Sequence, residues 1–144
     1  MNLSKAAKVT RVANGAAAGQ TAVTSSSVDT TGSAAVEFLV LMGAITTGAA
    51  TSVKLQGSSD DSNWSDLEGT GQTIADDDDN KVFILDLANS RYRYVRCVVS
   101  RATQDSVVDG IVARQYAADK EPVTHDSSTV GGSEFHHAPA AGTA

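Results

Sequence analysis

The chain has 144 residues, a formal net charge of −6, and a hydrophobic fraction of 41% in which aromatics supply only 5%. One domain of this size can bury a working core. An acidic chain without a Lys/Arg cluster is repelled by phosphate backbones and anionic bilayers, which argues against nucleic acid and membrane surfaces as partners.

Residues 1–32 are rich in Ala, Ser, Thr and Gly and poor in large apolar side chains. Val9–Val12 and Thr21–Thr24 are candidate short strands, and Asn14-Gly15 between them is a turn signal. The stretch reads either as a flexible N-terminal arm or as an arm that orders on a neighbouring subunit. Its first residues lack the continuous apolar run of a signal peptide. The expected product is soluble and made in the cytoplasm.

Residues 33–116 carry the predicted core. Val36–Met42 has apolar residues on both parities, which suits a strand covered on both faces. Leu, Met and Glu would also allow a helix, but Gly43, Thr46, Thr47 and Gly48 cut the run short. The longer apolar run Ala34–Ile45 contains Glu37 and is too short to cross a bilayer. Thr51–Gln56 alternates strictly, with Val53 and Leu55 on one side and Lys54 and Gln56 on the other, and predicts a half-buried strand. A polar turn over 57–63 follows, and Trp64 and Leu67 begin the return.

Lys81–Leu87 predicts the next strand, with Phe83, Leu85 and Leu87 on one face and Val82, Ile84 and Asp86 on the other. After a turn at Ala88-Asn89-Ser90, Arg91–Arg101 predicts a strand rich in Tyr and Val. Val107-Val108 and Ile111-Val112 close the core, interrupted by Asp109-Gly110 as a hairpin turn or a bulge. Short strands at a spacing of roughly ten residues predict an all-β fold, an antiparallel β-sandwich of jelly-roll-like type with extended N- and C-terminal arms. Residues 117–144, with Pro122, Gly131-Gly132 and Pro139, predict an extended C-terminal tail. Such a segment cannot offset its ordering entropy by burial, so neighbouring subunits are the expected holders.

Chemistry-bearing residues are sparse. Acyl transfer needs a rigid His beside a nucleophile, yet His125, His136 and His137 all lie in the tail. Cys97, the only cysteine, sits in an apolar run and reads as a small core residue, and it forbids an intrachain disulfide. His136-His137 has no third ligand at zinc spacing. Two acidic stretches, Asp60 to Glu68 and Asp76 to Asp79, are oxygen-rich but lack the spacing of an EF-hand loop, and they read as solvated loops that resist edge pairing. Gly69-Thr70-Gly71 lacks the Lys and helix of a phosphate loop. The expectation is a non-enzyme without cofactor or metal. Arg and Tyr are common interface anchors, so Tyr92, Arg93, Tyr94 and Arg96 are the interface candidates in the core. Val9, Arg11 and Val12 are those in the arm.

The stretch Val53–Leu67 (VKLQGSSDDSNWSDL) resembles a hairpin of tailed-bacteriophage structural proteins, with a Gln-Gly-Ser turn, an Asp/Asn-rich tip and a returning Trp. Arg93-Tyr94-Val95-Arg96 and the following Cys97-Val98-Val99 look like the strand after it, and are also similar to a strand of carbohydrate-binding jelly rolls. The resemblance spans roughly residues 34–116. It implies a phage head decoration (cement) protein on the capsid exterior, bound to the major capsid protein and to its own copies as a homotrimer. Two other readings stand beside it: a neck or tail component of the virion, and a carbohydrate-binding module for host attachment built on Trp64, Tyr92, Tyr94 and Tyr116.

Overall fold

The computed structural model describes residues 2–144. A single helical turn, α1 (Leu3–Ala6), precedes eleven strands: β1 (Lys8–Ala13), β2 (Ala16–Gly19), β3 (Val23–Thr24), β4 (Val28–Asp29), β5 (Ser33–Ile45), β6 (Ala50–Ser58), β7 (Ser65–Asp66), β8 (Gln72–Ile74), β9 (Val82–Ala88), β10 (Tyr94–Ala102) and β11 (Ser106–Ala118). They form two antiparallel sheets. The first has the order β1-β11-β5-β9 with β2 also on β11; the second has the order β3-β10-β6-β7 with β4 on β10 and β8 on β6. The all-β sandwich expected from sequence is what forms.

Alternation explains the packing between the sheets. Val36, Phe38, Val40 and Met42 point inward from β5 and meet Val53 and Leu55 of β6 and Val95, Cys97 and Val99 of β10. All are buried, Cys97 fully, and burial alone pushes its thiol up to about 12. The thiol is therefore inert at neutral pH.

Residues 2–32, read from sequence as an arm with short strands, are built into both sheets of their own chain. β1 and β2 follow one another along β11, and β3 and β4 follow one another along β10. Asn14-Gly15 is therefore not a hairpin turn. It steps the chain past an irregularity in β11 between Ser106 and Gly110, where the register shifts twice. Gly15 fits there because a Cβ would lie 3.0 Å from the Asp109 carbonyl oxygen. The sequence left Asp109-Gly110 open between hairpin and bulge; a bulge within one continuous strand is what the register shows.

The tail is also partly held by its own chain. The Val123 amide donates to the Lys5 carbonyl at 2.8 Å. The Val9 amide donates to Nδ1 of His125 at 3.1 Å, so Nε2 carries the proton that reaches the Ser4 carbonyl at 2.9 Å. These bonds, with the Ser26 amide on the Val12 carbonyl at 2.7 Å, cover the outer edge of β1. Residues 131–144 are exposed throughout.

The acidic loops are tied to backbone. Asp60 accepts from the Ser62 and Asn63 amides, Asp76 from Gly48, Asp78 from Ala75, and Asp79 from Ile45. Amide donors and the neighbouring Lys54, Lys81 and Arg93 cations hold Asp29, Asp60, Asp66 and Asp78 below the ordinary carboxylate range. Depressed carboxylates contribute stability that is present above the unfolded value of about 4 and is lost as pH falls through the lower folded values. The melting temperature should thus be flat near neutrality and decline below about pH 4. A melting temperature unchanged through that acid range would show that these contacts do not form in solution.

Candidate functional site

The sequence-predicted interface residues fall in three different places. Tyr94 and Arg96 point outward from β10 on the second sheet. Arg96 lies over the Trp64 ring, 4.2 Å from its centroid, and its Nε donates to Gln56 at 2.8 Å. Arg93 precedes the strand and pairs with Asp29 at 2.8 Å. Tyr92 packs its ring on Gly57, where an added Cβ would lie 2.5 Å from the ring. Val9 and Arg11 lie on the far side of the molecule, on β1. Val12 is only 4% exposed and belongs to the core: by ordinary alternation it takes the face of β1 opposite to Arg11, and this removes it from the surface. The carbohydrate-platform aromatics Trp64, Tyr92, Tyr94 and Tyr116 are all half-buried, and Arg96 already occupies the Trp64 ring.

A different surface stands out: the outward face of the first sheet. Register places three rows across it. Asp86, Glu37, Arg114 and Val9 form one; Ile84, Leu39, Val112 and Arg11 the next; Val82, Leu41 and Gly110 the third. The first row is polar up to Val9, and its charges are internally satisfied. Arg114 pairs with Glu37, and the Tyr116 hydroxyl donates to Asp86 at 2.7 Å. That bond to a carboxylate pushes the Tyr116 phenol above its ordinary range.

Apart from Arg11 at the β1 end, the other two rows are apolar, and their β5 and β9 members Leu41, Val82 and Ile84 are open to solvent. Leu41, Val82 and Ile84 are 38%, 51% and 52% exposed, and Leu39 and Val112 beside them are half-buried. Contiguous exposed apolar side chains on a sheet face mark a contact surface. A groove of about 570 Å³ adjoins the polar row, walled by Leu3, Ala6 and Ala7 and floored by Glu37, Arg114 and Tyr116.

Of this face the sequence reading named only Val9 and Arg11, at its β1 end; it missed the apolar band of Leu41, Val82 and Ile84, although its signal was present. Apolar residues on both parities of β5 predicted cover on both sides. The chain supplies that cover on the inner side alone, so the outer apolar row is left for something else. Among the described residues no three His, Cys, Asp or Glu side chains converge as metal ligands.

No protein-family model matches the chain, and no curated protein matches it. Among solved structures it is similar to the PBSX exported protein XepA, with a TM-score of 0.54 and 16% sequence identity. The match covers 94% of this chain and 45% of that one, so the chain spans less than half the length of that protein. At this identity the likeness is one of fold.

Proposed function

We propose that this chain is a structural subunit of a bacteriophage particle, a decoration protein that binds the major capsid protein and its own copies through the outer face of the first sheet. The observation that carries the reading is the apolar band of Leu41, Val82 and Ile84, which this chain leaves uncovered. The hairpin resemblance in Val53–Leu67 supports it, as does the fold shared with a phage-related exported protein. In this reading the chain is not an enzyme and needs no cofactor. Its work is done by area: each apolar side chain removed from water contributes about 1.5–3 kcal/mol. Many copies on one lattice sum such contacts by multivalency.

The test uses particles stripped of this protein and reloaded with it. Val82→Lys and Ile84→Lys together should weaken loading by about a hundredfold, two desolvated apolar contacts being replaced by charges. The variant's melting temperature should match wild type, because both positions face solvent. Loading equal to wild type would contradict the proposed face.

A further inference from the structure

The two edges of the first sheet differ. The β1 edge is covered by the tail and by Ser26. The β9 edge carries no strand, and its backbone polarity can be read from its bonds. Lys81 gives its carbonyl to Met42 of β5, and Asn89 gives its amide to Ala34. Odd-numbered residues therefore address β5, and Val82, Ile84 and Asp86 turn their amides and carbonyls to the open edge. One of those groups has a partner among the described residues: the Ile84 carbonyl accepts from the exposed Gln72 side chain at 2.9 Å.

We infer that this edge pairs with the same edge of a second copy, antiparallel about a twofold axis, to make one continuous sheet across two chains. This rests on the reading of the outer face as an assembly surface and names a partner for it. The register follows from the residues. A twofold axis at Phe83 sets Val82 of each copy opposite Ile84 of the other. Both residues turn their amides and carbonyls to the open edge, and once Gln72 releases the Ile84 carbonyl each such pair makes two backbone hydrogen bonds. The same register sets exposed β-branched side chains against each other and keeps the two Asp86 carboxylates at opposite ends. Shifting the axis to Ile84 or Leu85 would instead put Asp86 against Val82 or Ile84. Pairing at Phe83 also joins the two apolar bands, each running from Leu41 to Ile84, into one. The Gln72 side chain must swing away, at the loss of one exposed hydrogen bond. A twofold pair differs from the threefold association that the decoration-protein resemblance implies, and the two differ in sedimenting mass.

Sedimentation of the full chain at concentrations up to about 100 µM tests this. The mass of two chains is expected for wild type. Two variants separate side chain from backbone. Ile84→Lys replaces the apolar contact, and Val82→Pro removes one open-edge amide at the first strand position, where proline is tolerated. Each should weaken association at least about tenfold while melting like wild type. A wild-type monomer, or a dimer or trimer that both folded variants preserve, would overturn the inference. A monomer that still loads onto stripped particles would overturn the pairing and leave the capsid reading intact.

Discussion

Replacing Arg101 by Ala should cost about 3–5 kcal/mol of stability, one of the two largest single-residue losses expected in this protein. Arg101 is 9% exposed. Its Nε donates to the Thr21 carbonyl at 2.6 Å, and Nη1 donates to the Ala17 and Ser106 carbonyls at 2.9 and 2.6 Å. Three strands or their flanks thus meet on one planar fork: β2 and the turn after it, β10, and the start of β11. A guanidinium suits the task because it stays charged and offers several donors in fixed geometry. Truncation removes charge-assisted bonds worth about 1.5–3 kcal/mol each and takes a donor from three carbonyls. The net loss stays below the sum, because water enters at the rim. Arg101→Lys keeps the charge but not the fork, so it should fall between Ala and wild type. Urea unfolding measures both. A loss under about 1 kcal/mol for Arg101→Ala would show that residues 17–21 are held by something other than this side chain.

Phe38→Ala should cost about 3–5 kcal/mol by a different route, the loss of buried apolar area plus the cavity left behind. Phe38 is fully buried at the centre of β5, opposite Ala113 and Leu85. Small Ala113 leaves the room that the ring fills, and two hydrogen-bonded neighbours on either side limit collapse into the void. Leu41→Ala, three residues along the same strand but on the outward face, should cost under about 1 kcal/mol in the isolated chain. The contrast is the informative part. Equal losses at the two positions would mean that β5 is covered on both faces by its own chain.

Much of the fold could be read from residue order, because period-two alternation carries the information that a sandwich needs. Thr51–Gln56 and Lys81–Leu87 have their inward sets where the residues put them. The N-terminal thirty or so residues were harder to place, for a physical reason. Strands such as Ala16–Gly19 and Val23–Thr24 are short and poor in large side chains; Ala16 and Val23 add only small, partly buried contacts to the core, and backbone ladders and the bonds from Arg101 to residues 17 and 21 help to hold the segment. Nothing in local composition signals that. The contact surface was legible only as an excess. Leu39, Leu41, Val82 and Ile84 are more apolar than a solvated face requires, and a reading of β5 as fully covered used up that excess. Residues chosen for type alone, such as Tyr92 and Arg96, turned out to be engaged with Gly57 and Trp64 of their own chain.

If this protein works, as proposed, by occupying a phage capsid surface, its copy number in purified virions relative to the major capsid protein shows it. Occupancy of the capsid lattice predicts an abundance within a small factor of the major capsid protein, falling to background for the Val82→Lys, Ile84→Lys double variant. A handful of copies per particle would place the chain at a neck, vertex or tail and contradict the decoration role. Absence from the particle would contradict a virion role altogether.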